Sequence, residues 1–274
     1  MENAISAIVV GRNEAKKLTT CLKSLSFCNE IIYADLDSSD DSVQIAKRFG
    51  CKVFKYKDFG PSCEYTIAEV IKYVNNDWVI TVDPDEEVSM ELIQTINKRF
   101  TSWSKNDGLA EIKLPWKFFV GQQSLKGTVW GNKQHKGVLF NKNRYACLPI
   151  THYGRYPLTG YDTVTLDYEN DGCLNHYWMD NLKGFVDKHL RYLKDEGRDR
   201  YNLGKRTSLV RAVLITFPIE FYRCYIKSRG YKDSITGFWL SMFWALYSFS
   251  AESSLYYYQL KGYFKGGKGD GKSA

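Results

Sequence analysis

Four carboxylates fall within the stretch Asp83-Pro84-Asp85-Glu86-Glu87, directly after the apolar run Trp78–Val82. Like charges this close raise one another's pKa, so a cation belongs among them. Oxygen donors at the end of a strand suit a hard divalent ion, Mg²⁺ or Mn²⁺, of the kind shared with substrate phosphates. The same residues would also serve as an acidic, solvated turn leading into the helix expected from Met90 to Phe100. Two other polar clusters bear on the choice: Arg12-Asn13-Glu14 after the apolar run Ala4–Val10, and Asp35-Leu36-Asp37-Ser38-Ser39-Asp40-Asp41-Ser42 after Glu30–Ala34.

The elements that must position these clusters alternate. Buried strands are expected at Ala4–Val10, Glu30–Ala34, Cys51–Lys55 and Trp78–Val82, and helices at Ala15–Leu25, Val43–Phe49 and Tyr65–Val74. Ser42 or Asp41 is expected to N-cap the second helix, and Gly50 to close it. Such alternation implies right-handed crossovers and an α/β fold, a mostly parallel sheet with helices on both faces. Ligands of such sheets bind at the carboxyl ends of the strands, where all three clusters lie. No G-x-G-x-x-G follows the first strand and no G-x-x-x-x-G-K-[ST] occurs, which disfavours a dinucleotide site and a P-loop.

Read together, Ser6–Glu14, Asp35–Ser42 and Asp83-Pro84-Asp85-Glu86 resemble the three successive signatures of family 2 glycosyltransferases, and most closely the bacterial lipopolysaccharide-core enzymes of the β-1,4-glucosyltransferase type. Order and spacing match over the first 90 residues, with weaker echoes to about residue 250. The resemblance implies a GT-A fold, a nucleotide-diphosphate sugar donor, a UDP-sugar among the candidates, and inversion at the anomeric carbon. It places Asp35 at the uracil edge, and Asn13 and Glu14 near the base and ribose. Asp83 and Asp85 become the D-x-D pair that holds ribose and the Mn²⁺ or Mg²⁺ clamping the diphosphate. A metal there neutralises the charge that develops on the leaving group. One departure stands out: where the family often carries Arg-Asn, this chain has Pro61-Ser62-Cys63-Glu64.

From Gly108 the chain turns β-rich, with strands expected at Ala110–Leu114 and Lys117–Val120 on either side of Pro115-Trp116. By resemblance this region lines the acceptor side, and Trp130, Lys136 and His152 are its candidate sugar-facing groups. Aromatics are equally at home in a core. An inverting transferase needs a carboxylate base for the acceptor hydroxyl. The family's His-Glu pair is matched here by Thr151-His152-Tyr153-Gly154, which lacks the Glu, so Asp162 is the candidate base and Glu86 a further one. His176 resembles a late metal ligand of GT-A enzymes, a role that imidazole fills for Mn²⁺.

The whole chain bounds these readings. At 274 residues it has room for an ample core, and 44% hydrophobic with 25% charged residues is ordinary for a soluble protein. Aromatic residues reach 15%, 20 of them Tyr, and the net charge of +7 comes mostly from beyond residue 180. The expected organisation is a GT-A catalytic domain over 1–180, a basic and aromatic helical region over 181–260, and a disordered Gly/Lys tail over 261–274. Seven cysteines without a C-x-x-C pair read as reduced thiols of a cytoplasmic protein, and no leader or long apolar run is apparent. The segments Leu209–Ile226 and Gly237–Phe249 mix cations with apolar side chains and suit helices lying on the inner face of a bacterial cytoplasmic membrane. A subunit contact in a homo-oligomer would use the same stripe. The expected partners are therefore a nucleotide-sugar donor, a lipid-linked saccharide acceptor and a membrane surface. A nucleotidyltransferase would need a longer Gly- and Arg/Lys-rich loop than Gly11-Arg12-Asn13-Glu14. A non-catalytic nucleic-acid- or membrane-binding module would leave the acidic clusters without a role.

Overall fold

The computed structural model describes residues 4–57, 62–150, 154–179 and 182–266. Four parallel strands come first: β1 (Ile5–Gly11), β2 (Glu30–Asp35), β3 (Lys52–Lys55) and β4 (Trp78–Val82). Helices α1 (Ala15–Ser24), α2 (Ser42–Arg48) and α3 (Cys63–Val70) connect them. Every residue of β1 and β4 is buried, which is why they read as unbroken apolar runs rather than alternating ones. Their side chains still divide by face. Ile5, Ala7, Val9, Trp78 and Ile80 join one core cluster with Leu18 and Leu22 of α1, while Ile8, Val10 and Val79 join the other with Ile67 and Val70 of α3.

The chain then adds β5 (Glu86–Val88), α4 (Met90–Ser104), β6 (Leu109–Val120), β7 (Gln123–Ser124), the short turn α5 (Thr128–Gly131) and β8 (Gln134–Asn141). After these come β9 (Tyr145–Cys147), β10 (Arg155–Pro157), β11 (Asp162–Thr165) and β12 (Leu174–Met179). The main sheet runs β3-β2-β1-β4-β8-β6-β12-β5, with β8 antiparallel to both β4 and β6. α4 buries Leu92, Ile96, Phe100 and Trp103 at helical spacing, each contributing about 1.5–3 kcal/mol. Ser89 caps it by accepting the Leu92 N–H at 3.2 Å.

One local expectation is narrowed and two are corrected. Of the two N-cap candidates Asp41 holds the N-cap position of α2, without the expected side-chain bond, and Ser42 is the first helical residue, its hydroxyl accepting the Glu14 N–H instead. Pro115-Trp116 does not split β6, which runs from Leu109 to Val120 with Pro115 opposite His135 of β8. The tail is helical as far as Gly266, so disorder does not begin at Lys261; residues 267–274 lie outside the described residues.

At the opposite end of the parallel strands, Glu30 is buried and accepts from the Ser6 hydroxyl (2.6 Å), the Asn75 N–H (2.9 Å) and Lys52. Burial works against its charge, but these donors outweigh it and its pKa lies below the ordinary value. The stability it contributes is therefore complete above the ordinary carboxylate range and is lost as pH falls through the lowered value. Thermal unfolding against pH should show this, with a shallower acid limb in Glu30→Gln than in the parent.

The described residues form two compact units: residues 1–117 with 133–178, and residues 118–132 with 179–274. The second contains α6 (Leu182–Asn202), α7 (Thr216–Tyr222) and α8 (Ser234–Gly266). α8 packs along both α6 and α7 and is 33 residues long, far beyond the expected Gly237–Phe249. Pro218 sits within α7 between two π-helical turns, Arg211–Ile215 and Arg223–Lys227. Such wide turns are how a helix carries on around a proline that cannot donate to the preceding turn. Asp233 is buried and accepts the N–H groups of Lys126 and Gly127, each at 2.7 Å, which fixes the loop leading into α5.

Candidate active site

At the carboxyl end of β1 the chain turns sharply at Asn13, which is left-handed (φ 58°), a conformation Asn tolerates. Its N–H donates to the Ser38 hydroxyl (2.9 Å), and its Oδ1 accepts the Ser39 N–H (2.8 Å). The next two N–H groups, of Glu14 and Ala15, donate to Ser42 Oγ (2.8 Å) and Asp40 Oδ2 (3.0 Å). These serve the start of α1, where N–H groups lack partners within the helix. The first two polar clusters are thus laced together. Asp35 lies beneath them, fully buried, with both carboxylate oxygens 3.3 Å from the Ser38 N–H. Its carboxylate holds the loop from below, while Asp37 is exposed.

The third cluster is a tight turn between β4 and β5, closed in both directions. The Glu86 N–H donates to Asp83 O, and the Asp83 N–H donates to Glu86 Oε2, each at 2.9 Å. Glu86 is 1% exposed, and its other oxygen accepts from Trp116 Nε1 and Lys136 Nζ, both at 2.7 Å. Lys136 also donates to Asp83 Oδ2 at 2.8 Å. Burial opposes the Lys136 ammonium, but Asp83 and Glu86 more than offset it and its pKa is raised, so the lysine stays charged. Burial pushes Glu86 upward against the pull of Lys136. Beneath the turn, burial and then the Glu86 and Asp83 charges hold Cys21 well above its ordinary range, as a thiol that donates to Asp83 O. Gly11 permits this closeness, since a Cβ there would lie 2.8 Å from Pro84 Cγ.

β12 pairs with β5 so that His176 stands opposite Glu86. Its Nε2 is 3.3 Å from Asp85 Oδ2, and its ring stacks on Trp116 with centroids 5.1 Å apart. The Tyr177 N–H donates to Asp85 O, Lys17 Nζ donates to Tyr177 O and the Tyr177 hydroxyl donates to Glu87, each bond between 2.7 and 2.8 Å. Among the described residues no three side chains of His, Cys, Asp or Glu form a ready-made metal cage. The donors present are the carboxylate of Asp85, the imidazole of His176 and the half-exposed carboxylate of Asp83. That set fits a divalent ion whose coordination is completed by diphosphate oxygens and water, as expected for Mg²⁺ or Mn²⁺ bound with substrate.

The structure thus brings together Asp83, Asp85, Glu86, His176 and Lys136, and separately ties Asn13 and Glu14 to the loop above Asp35. It does not bring Asp162 to them. Asp162 is exposed at the start of β11, level with Leu109 and hence with the opposite end of the sheet, roughly 15 Å away along the strands. A base must reach its proton within hydrogen-bond distance, so the expectation for Asp162 is corrected. Glu86 is likewise a holder rather than a free base, because both of its oxygens already accept donors. Trp130, expected to face a sugar, belongs to the second unit, where it meets Phe185 and Trp244 edge-on. His152 lies outside the described residues. Lys136, expected on the acceptor side, instead bridges the carboxylates of Asp83 and Glu86. Sequence reasoning missed Trp116 and Tyr177, whose only signal was position on polar-alternating strands.

The mixed α/β sheet, with carboxylates gathered at the ends of its parallel strands and helices on both faces, is like that of the GT-A glycosyltransferases. Residues 6–105 match the family model for glycosyl transferase family 2. The chain is a glycosyltransferase carrying a family 2 domain. An uncharacterized glycosyltransferase of Rickettsia prowazekii, RP128, is 28% identical over 235 residues, covering 82% of this chain and 75% of that one. The lipopolysaccharide core biosynthesis glycosyltransferase LpsC of Rhizobium meliloti is 21% identical over 92% of each chain. Among solved structures, glucosyl-3-phosphoglycerate synthase from Mycobacterium tuberculosis, in complex with Mn²⁺, UDP and glucosyl-3-phosphoglycerate, superposes with a TM-score of 0.49 at 14% identity, covering 75% of this chain and 82% of that one. The family match sets aside the nucleotidyltransferase and the non-catalytic module.

Proposed function

We propose that the protein moves a sugar from a UDP-sugar to a hydroxyl of a lipid-linked saccharide, with inversion, in the building of bacterial lipopolysaccharide or another surface polysaccharide. The observation that carries this reading is the assembly of Asp83, Asp85 and His176 around one turn, beside the laced Asn13–Ser42 loops. Asp85 and His176 would hold Mn²⁺ or Mg²⁺, and Asp83 would reach both the ion and the ribose. When bound, the ion supplies charge neutralisation to the departing diphosphate. Asn13, Glu14 and the loop seated on Asp35 would take the nucleoside, with Glu86 and Lys136 keeping Asp83 in place. The lipopolysaccharide setting is supported by the likeness to LpsC. The test is a donor screen with UDP-, GDP- and dTDP-sugars in Mn²⁺ or Mg²⁺, reading nucleotide release and thermal stabilisation. UDP-sugars should act and should stabilise only with metal; metal-independent or absent binding would sink the proposal.

The lipid-linked acceptor is supported by the second unit. Leu214, Ile235, Trp239 and Tyr222 are 68, 67, 62 and 58% exposed, a large apolar share for surface positions. Residues 205–232 hold seven Lys and Arg against a single Glu. Apolar side chains among cations suit the interface plane of an anionic leaflet. Among the described residues no helix is long and apolar enough to cross a membrane. Leu214→Glu with Trp239→Glu should reduce pelleting with phosphatidylglycerol vesicles at least tenfold while leaving the mass in solution unchanged. A drop in mass by light scattering with pelleting intact would assign the face to a subunit contact instead.

A further inference from the structure

A cavity of ≈ 390 Å³ lies within the first unit, with Glu64, Glu111, Lys113, Gly137, Arg155 and Tyr156 among its walls. Lys136 also lines it, so it adjoins the turn at Asp83–Glu86 through the ammonium bonded to Asp83. Its size falls at the small end of ligand sites, which run from about 300 to 1,000 Å³, and suits a single sugar ring.

The charges on its walls are committed, with one exception among the cations. Lys136 is held by Asp83 and Glu86. Lys113 stands 3.9 Å from Glu111, whose carboxylate also accepts the hydroxyls of Tyr145 (2.8 Å) and Thr163 (3.1 Å). Arg155 has no such partner: its Nη1 donates to the neutral hydroxyl of Thr81 at 2.8 Å, and no described carboxylate lies within ion-pair distance. A guanidinium offers five donors in a fixed fork, and among the described residues Thr81 takes one of them while Arg155 lines the cavity. The Thr81 bond anchors it on β4, two residues before Asp83, on the side toward the reacting centre. Glu64, the remaining carboxylate on the wall, is not ion-paired to it. Gly137 keeps the floor open, since a Cβ there would lie 1.9 Å from Glu111 Oε1 and would displace that carboxylate.

Building on the transferase reading, we propose that this cavity receives a sugar unit bearing an anionic substituent, a carboxylate or a phosphate. Arg155 is its specificity-determining residue, meeting the anion with paired N–H donors, the geometry that favours Arg over Lys. The exposed Tyr156 on the same wall offers a hydroxyl to the ring.

The experiment pairs charged and neutral probes on the full chain with UDP and Mn²⁺ present. Glucose 6-phosphate and glucuronic acid are compared with glucose as the acceptor-side arm, and UDP-glucuronic acid with UDP-glucose as the donor-side arm. The proposal expects the anionic member of one arm to bind at least tenfold more tightly. Arg155→Met should abolish that preference, and Arg155→Lys should retain only part of it, with UDP affinity unchanged in both. Equal binding of anionic and neutral probes, or a preference that survives in Arg155→Met, overturns the inference. Should Arg155→Met fail to fold, an undiminished preference in Arg155→Lys does the same. Failure of UDP itself to bind wild-type protein overturns the transferase reading, whereas UDP binding without anion preference overturns only this inference.

Discussion

Lys136→Met should be the most damaging single change in the first unit. It removes the ammonium that bonds Asp83 at 2.8 Å and the fully buried side chain of Glu86 at 2.7 Å. Breaking a buried pair by deleting one partner costs about 3–5 kcal/mol, because the remaining charge is left in a poor solvent. For a chain of this size that lowers the melting temperature on the order of 10 °C. Glu86 relieves the cost by binding a proton, so the loss should be smallest in acid and grow toward neutral pH. Adding Glu86→Gln removes the stranded charge and should recover much of the stability, though not the activity. With Asp83 released, kcat/KM should fall roughly 10²-fold, the scale that follows from misplacing a reacting group by about an ångström. Calorimetry and steady-state kinetics on the two variants and their combination decide the matter. A single variant as stable as its parent, or a double variant no better than the single, would show that the lysine is not the keeper of this turn.

Asp85→Asn makes the complementary prediction: large in activity and small in stability. The side chain keeps its shape, and an amide can still meet His176 Nε2, now 3.3 Å away. What it loses is the anionic oxygen required by a hard divalent ion. UDP should bind the variant equally with and without Mn²⁺, and kcat/KM should fall about 10²–10³-fold, near the loss seen when one group that stabilises developing charge is removed. The melting temperature without ligand should stay close to that of the parent. Titration calorimetry with UDP in Mn²⁺ or in chelator is the direct measurement; a metal-dependent increment of unchanged size in Asp85→Asn would remove Asp85 from the site.

These two residues also mark how much the sequence discloses. Asp85 was legible because β1, β2 and β4 are buried on both faces, and a buried run ending in carboxylates points to a strand end without any knowledge of neighbours. The α-helices between them follow from Leu18, Leu22 and the other apolar positions in the same local way. Lys136 was visible as a residue but not in its role. Its place beside Asp83 depends on β8 running antiparallel between β4 and β6, and pairing register across 50 residues of chain is set by tertiary packing. Asp162 failed for the same reason, since its place in sequence shortly after His152 says nothing about which end of the sheet β11 begins from. Burial was the third blind spot: Glu86 stands among acidic neighbours in the sequence, and only the fold shows that it turns inward to Trp116 while Asp85 stays accessible.

The pairing of β12 with β5 has a consequence for how the enzyme comes into being. Residues 4–82, which supply the parallel strands and the two interlaced polar loops, leave the ribosome long before His176, Trp116 and Lys136 can all be present. A nascent chain can therefore hold its first two polar loops early, while the turn at Asp83–Glu86 waits for a strand made about 90 residues later to complete it. The last piece of that turn thus arrives only when the first unit, which ends at residue 178, is nearly finished.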